Sequence, residues 1–323
     1  MYKALYRTWR PMSFDDVISQ PHITETLQNQ VRTGKTAHAY LFTGSRGTGK
    51  TTCARILAKA VNCPHAVNGN PCLECDICKD ADRGILSDVI EIDAASNNSV
   101  EDIRDLREGT VYRPERCAYK IYIIDEVHML SGSAWGALLK VMEEPPAYVV
   151  ILLLTTNADS FLPTINSRCI TLDLKAVPNE KIKSYLMEYC RIPDYQAEVC
   201  TAFAQGNVGK AIKLASSESF NEIKNSALQL IRRLKEIDLY EMMEAVKQIS
   251  EYKLEINDYF DIMMIWYRDV LLYKATADVN HLVFRDEIYD IKKSASKSSY
   301  EGIEQILEAV SYTHLTLPTT SRV

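Results

Sequence analysis

No apolar run in the 323 residues approaches the roughly 20 uncharged positions that a membrane helix needs. The longest candidate, Val149 to Leu154, has the length of a buried strand. The chain opens without an apolar leader, so export and membrane contact are not expected and a cytoplasmic protein is. Glycine and proline are sparse, at 12 and 11 residues, which excludes collagen-like and low-complexity architectures. Positive charge is not in excess either: 37 Lys and Arg stand against 43 Asp and Glu, a net charge of −6. A general basic coat for wrapping nucleic acid is therefore excluded, although a local basic face is not. What is present, 46% hydrophobic and 25% charged side chains, suits a globular protein able to bury a large core. The length allows two or three domains.

The nine cysteines are unevenly placed. Cys63, Cys72, Cys75 and Cys78 cluster, whereas Cys53, Cys117, Cys169, Cys190 and Cys200 are scattered and read as small core residues. In a chain with no export signal, disulfide staples are a poor reading of the cluster and a metal site is the better one. Four thiolates close together suit tetrahedral Zn²⁺ and leave no open coordination position, so such a site is structural. An iron–sulfur cluster would use the same ligands. His65 lies within the cluster as a conceivable replacement for one thiolate.

Strands and helices alternate through the first half. Tyr40 to Thr43 reads as a strand running into a Gly-rich turn, and Thr51 to Val61 has helical spacing. Val89 to Ile92 is a second strand, followed by a helix from Ser99, where Ser-Val-Glu-Asp is a capping-box pattern. Lys120 to Ile124 is a third strand, and Ser133 to Met142 a helix stopped by Glu143-Glu144-Pro145-Pro146. Val149 to Leu154 is a fourth strand. The alternation predicts an α/β fold, a parallel sheet covered on both faces. Beyond Ala176 the pattern turns helical. Ile223, Ala227, Leu230, Leu234 and Ile237 form one apolar stripe, and Ile262, Met263, Trp266 and Val270 another. Boundaries are expected near 175 and 220, giving domains 1–175, 176–219 and 220–310. Residues 311–323 break the helical pattern; Ser311 to Thr319 resembles a translated sequencing-adapter tail and is expected to be non-native.

Gly44-Ser45-Arg46-Gly47-Thr48-Gly49-Lys50-Thr51, with Thr52 following, fits G-x-x-x-x-G-K-[ST] between a strand and a helix. The glycines let backbone N–H groups turn inward around phosphates, Lys50 supplies a charge for the β- and γ-phosphates, and Thr51 is placed to ligate Mg²⁺. Ile121 to Ile124 delivers Asp125 and Glu126 to the sheet's C-terminal edge: Asp125 for the Mg²⁺ shell, Glu126 to orient and deprotonate a water. His128 reads as a packing residue rather than a base. Thr156 and Asn157 end the fourth strand, as turn residues or as γ-phosphate contacts. Arg168 follows in Ser167-Arg168-Cys169, as a solvated charge or as an arginine supplied in trans to a neighbouring subunit's γ-phosphate.

Together these residues resemble the AAA+ clamp-loader ATPases of bacterial DNA polymerase III, most closely the gamma/tau type. The match runs through Tyr6 to Pro11, Phe14 to Ile18, His38 to Phe42, the glycine loop, the four cysteines, Ile92 to Asn97, Ile124 to Leu130 and Glu143 to Pro146. The resemblance implies an AAA+ P-loop domain with a zinc module at 62–79, a small helical lid and an all-α collar. It implies ATPase activity within a holoenzyme that is a DNA-directed DNA polymerase. It also implies ATP, Mg²⁺ and Zn²⁺ as cofactors. The implied partners are other loader subunits in a hetero-oligomeric ring, a sliding clamp and primer–template DNA. Thr156 then falls at the sensor-1 position and Arg168 in the Ser-Arg-Cys motif that reaches the neighbour's ATP. Ala95 to Ser99, before a helix N-terminus, falls where related loaders face the DNA backbone.

Two departures stand out. In Gly206-Asn207-Val208-Gly209-Lys210 the family's sensor-2 arginine position holds Gly209, with Lys210 one step on as a partial substitute. After Pro146, Val149 to Phe161 and the helical remainder look more like a delta-prime-type subunit, which raises the expectation of a hybrid joined at Glu143 to Pro146. The alternatives are a non-hydrolysing delta-prime-type structural subunit and an unrelated AAA+ motor such as a branch-migration helicase. Intact Lys50, Thr51, Asp125 and Glu126 speak against the first, and the four-cysteine insertion against the second.

Overall fold

The computed structural model describes residues 10–157, 163–234, 238–251 and 256–316. Tyr6 to Trp9, Ala158 to Phe161, Ile237 and Leu317 to Val323, which figure in the expectations above, lie outside them. The chain divides into two compact units, Met1–Ile182 with Gly206–Gly209, and Lys183–Gln205 with Lys210–Val323.

The first unit is built on five parallel strands: β1 (Ala39–Thr43), β2 (Val89–Asp93), β3 (Lys120–Asp125), β4 (Val149–Leu154) and β5 (Ile170–Asp173). Their order across the sheet is β2-β3-β4-β1-β5. The helices of this unit are α1 (Pro21–Thr33), α2 (Lys50–Asn62), α3 (Asp76–Arg83), α4 (Val100–Thr110), α5 (Gly132–Glu143) and α6 (Pro163–Asn166). The period of two along β4 explains the layering. Val149, Ile151 and Leu153 face one core, with Ile103 and Leu106 of α4 and Leu138 and Val141 of α5. Val150, Leu152 and Leu154 face the other, with Ile23 and Leu27 of α1 and Ala54 and Leu57 of α2. A strand buried on both faces has no polar position to spare, which is why it reads as a continuous apolar run.

Helix ends follow local chemistry. Ser99 caps α4 in a reciprocal box, its hydroxyl accepting from Asp102 N at 3.2 Å while Asp102 Oδ2 accepts from Ser99 N at 3.1 Å. Ser131 caps α5 by accepting from Ala134 N. The short edge strand β5 is not legible in the sequence. It has four residues and only Leu172 of them is buried, too brief a pattern to register.

The remaining helices are α7 (Asn179–Glu188), α8 (Asp194–Ala204), α9 (Val208–Ala215), α10 (Glu218–Arg233), α11 (Leu239–Glu251), α12 (Ile256–Thr276), α13 (Ile288–Lys297) and α14 (Tyr300–Thr316). The second unit has its own core. Trp266 of α12 lies 6.0 Å from the Phe284 ring, and Phe203 meets Phe220 edge-on at 5.4 Å. Of the expected stripe on α10, Ile223 and Ala227 are buried, but Leu230 is half-buried and Leu228 and Ile231 take its place. The helical pattern does not break at Ser311: α14 continues to Thr316. Ser311 to Thr316 contains neither glycine nor proline, and the first proline, Pro318, comes later. Of the five scattered cysteines only Cys53 and Cys200 are fully buried; Cys117, Cys169 and Cys190 are half-buried.

Asp88, just before β2, is 1% exposed. Its carboxylate accepts from the backbone N–H groups of Glu115 and Arg116, both at 2.8 Å, and of Cys117 at 3.0 Å. Burial alone would raise its pKa, but the three donors outweigh it and hold the carboxyl below 3.8. A depressed folded pKa means that the stabilisation is present above the unfolded value and lost as pH falls through the folded one. Asp88→Ala should cost roughly 2–3 kcal/mol at neutral pH, and the gap to the wild type should close below about pH 4. Urea unfolding across a pH series measures both; a gap that stays constant down to pH 3 contradicts the assignment.

Candidate functional site

Because the strands are parallel, their C-terminal ends share one edge, and the glycine loop and the acidic pair meet there. Residues 44–49 carry the chain from β1 into α2. Gly44 has φ +134°, and a Cβ on it would lie 2.3 Å from the Leu174 carbonyl oxygen, so only glycine fits. The loop is braced by Thr48 Oγ1, which donates to Ser45 O at 2.9 Å. Ser45 and Arg46 are exposed.

Lys50, the first residue of α2, is buried; its Nζ donates to Gly44 O at 2.8 Å and Ser45 O at 3.0 Å. Burial pushes its pKa below the ordinary lysine value, while the Glu126 and Asp125 carboxylates oppose the shift. Thr51 Oγ1 donates to Asp125 Oδ2 at 2.9 Å. Thr52 faces another way, accepting from Arg10 Nε at 3.1 Å. Asp125 Oδ1 accepts from Glu126 N at 2.9 Å. Glu126 is in the left-handed region, φ +48°, and its Oε2 is buried without a hydrogen-bond partner among the described residues. Non-glycine residues rarely adopt this backbone, and an orphaned carboxylate oxygen is costly. Both features distinguish Glu126 from an ordinary packing residue.

Behind Glu126 lies a second layer. His128 Nδ1 is 3.6 Å from Glu126 Oε2 and 3.1 Å from Thr155 Oγ1. Thr155 is fully buried and also accepts from Asn157 N at 3.0 Å. Thr156, the residue expected at this site, and Asn157 are exposed, and it is the neighbouring Thr155, outside that expectation, that is buried. The signal that could have found Thr155 is its place next after the wholly apolar β4, where a polar side chain is buried with a partner or not at all. Arg168 lies apart from the glycine loop's own bonds. Its Nη2 pairs with Glu143 Oε1 at 2.9 Å and its Nη1 donates to Thr164 O at 2.7 Å. In the second unit, Lys210 Nζ pairs with Asp261 Oδ2 at 3.2 Å.

The four clustered cysteines converge, with all sulfurs within 4.8 Å of one another and Cys63 Sγ 4.0 Å from Cys75 Sγ. Four thiolates around zinc at about 2.3 Å have sulfur–sulfur edges of about 3.8 Å, so the set fits a closed tetrahedral metal site. Backbone N–H groups already point at the sulfurs: Cys72 N at Cys63 Sγ (3.3 Å), Cys75 N at Cys72 Sγ (3.4 Å) and Cys78 N at Cys75 Sγ (3.5 Å). The Glu74 and Cys75 N–H groups lower the Cys72 thiol to about 6, whereas burial raises Cys63 and Cys78. His65 is exposed and outside the group.

A parallel sheet in this strand order, with a glycine loop between β1 and α2 and an Asp-Glu pair leaving β3, defines a P-loop nucleotide-binding protein. Comparison with known proteins narrows the class. The family model described as DNA polymerase III, delta subunit, matches residues 19–178. The tau subunit of DNA polymerase III from Bacillus subtilis (strain 168) is 36% identical over 335 aligned positions, covering 97% of this chain and 60% of that protein. The gamma subunit from Buchnera aphidicola subsp. Schizaphis graminum is 34% identical over 94% of this chain and 90% of its own length. A gamma-subunit-related protein of known structure from Thermotoga maritima is 20% identical, with a TM-score of 0.47 over 90% of this chain and 98% of its own. The chain belongs to the gamma/tau family of DNA polymerase III subunits. Both gamma/tau alignments extend far past Glu143 to Pro146, and the delta-subunit match spans that point. No helix among the described residues is long and apolar enough to cross a membrane.

Thr155→Val keeps the shape but removes the hydroxyl that meets His128 Nδ1 and Asn157 N. It should cost about 1–3 kcal/mol in denaturant unfolding, whereas Thr156→Val should stay within about 0.5 kcal/mol. Equal effects of the two substitutions contradict the placement.

Proposed function

We propose that this chain is an ATP-hydrolysing clamp-loader subunit of bacterial DNA polymerase III, which loads a sliding clamp onto primer–template DNA. The observation that carries this reading is the Thr51–Asp125 hydrogen bond beside a buried Lys50 and the orphaned Glu126 oxygen. Residues 44–49 hold the triphosphate through backbone N–H groups, and Lys50 leaves the Gly44 and Ser45 carbonyls for the phosphates. Thr51 and Asp125 hold Mg²⁺, which neutralises phosphate charge when bound. Glu126 accepts the proton of the attacking water, and His128 and Thr155 fix where that carboxylate stands. Arg168 completes a neighbouring subunit's site in trans, oriented by Glu143. Thr156 is the exposed sensor-1 position. Ala95 to Ser99, ahead of α4, contacts the DNA backbone.

ATP energy enters as differential affinity: the ATP state of the ring binds clamp and DNA more tightly than the ADP state. In this reading residues 176–219 form a lid, 220–310 a collar that joins subunits, and 311–323 do not belong to the native protein. Cys63, Cys72, Cys75 and Cys78 hold a structural Zn²⁺. The alternative, a non-hydrolysing delta-prime-type subunit, finds support in the delta-subunit match over residues 19–178.

Single-turnover ATPase assays with companion loader subunits, with and without clamp and primed DNA, separate the two. Lys50→Ala should lower turnover on the order of 100-fold or more; an unchanged rate removes the hydrolytic reading. Metal analysis should return about one zinc per chain, and a chelator should lower the midpoint of thermal unfolding. A metal-free chain of undiminished stability removes the zinc assignment.

A further inference from the structure

Gly47, in the middle of the glycine loop, faces an unexpected neighbour. Its φ is +82°, and a Cβ built on it would lie 1.8 Å from Asn207 Nδ2 and 2.7 Å from Asn207 Oδ1. The Asn207 carboxamide therefore lies directly against the loop backbone, with its nitrogen the nearer end. On its other side, a Cβ built on Gly209 would lie 3.4 Å from Asn207 Oδ1. The carboxamide thus spans the gap between Gly209 and the loop. Residue 207 is steered there by its own turn: Gly206, at φ +84°, has its carbonyl bonded by Val177 N at 3.1 Å, and a Cβ on Gly206 would lie 2.6 Å from Ala176 Cβ. Meanwhile Lys210, the cation one residue beyond Gly209, is paired with Asp261.

We infer that Asn207 is a phosphate-positioning residue of the nucleotide site, a neutral donor standing where Gly209 leaves no side chain of its own. The inference rests on the reading that the glycine loop binds a nucleoside triphosphate. A carboxamide offers two N–H donors and carries no charge, so it can stand beside the loop without the desolvation penalty of a buried cation. A loop whose N–H groups turn toward phosphate leaves few places for a contact from outside the loop, and Asn207 Nδ2 stands beside Gly47 in its middle. Because the group is a donor to anionic oxygen, its contribution must depend on the sign of charge at this position and not only on volume.

The test uses the full chain and fluorescently labelled ATP and ADP. Wild type is compared with Asn207→Ala, Asn207→Asp and Asn207→Gln, and thermal unfolding without nucleotide serves as a folding control. Asn207→Ala should weaken ATP binding about tenfold, as expected for loss of one hydrogen bond to a charged group. Asn207→Asp, nearly the same size, should weaken ATP binding further than Asn207→Ala, and ATP more than ADP. Asn207→Gln should recover part of the loss. A packing role alone gives the opposite order, with Asn207→Asp closer to wild type than Asn207→Ala and no ATP/ADP difference. That order, or three variants that bind like wild type, overturns the assignment while leaving the nucleotide site intact. A wild-type chain that takes up no ATP overturns both this inference and the reading beneath it.

Discussion

One hydrogen bond, from Thr51 Oγ1 to Asp125 Oδ2 at 2.9 Å, ties the first turn of α2 to the last residue of β3. The strands it connects are not neighbours: β4 lies between β1 and β3. The contact therefore exists only if the sheet assembles in this order, all strands parallel, with their C-terminal ends level. Everything chemical about the site hangs on that constraint. It puts a hydroxyl and a carboxylate at the spacing of a shared metal shell, and it brings Glu126 round the end of β3 in a backbone conformation that packing alone would not select.

The electrostatics of this edge are balanced rather than relaxed. Lys50 is buried and its ammonium is disfavoured by that burial, with Glu126 and Asp125 opposing the shift. Its hydrogen bonds to Gly44 O and Ser45 O keep the charge over the loop. On the acidic side, His128 and Thr155 form a short polar chain behind Glu126. Such a chain rigidifies when every member is bonded; Glu126 Oε2, 3.6 Å from His128 Nδ1, is the oxygen left without a hydrogen bond among the described residues.

Much of this was legible in the sequence for identifiable reasons. Residues 44–51 carry a motif whose function is performed by backbone atoms, so the pattern of glycines is itself the mechanism. β4 reads as a strand because both of its faces are buried. The Ser99 cap reads because its bonds are local, to Asp102 three residues on. The four cysteines read because metal ligation constrains spacing, and the structure brings their sulfurs together. What was missed is non-local or short. β5 has too few residues for its alternation to register. Thr155 and Thr156 are chemically alike, and only the end of β4 decides which is buried. Ser311 to Thr316 continues α14 although its composition suggested a break.

The sequence by itself determined the class of chemistry and the family, since the glycine loop, the Asp-Glu pair and the cysteine spacing are local patterns with physical meanings of their own. Only the tertiary structure decided which side chains meet at the site. It set Asn207 against Gly47, paired Lys210 with Asp261 instead, bound Arg168 to Glu143 and put Asp88 under three backbone donors. These partners are far apart in the chain, and no periodicity encodes them. They meet because folding returns distant segments to one another, and burial leaves each polar group to find a partner or bear the cost of having none.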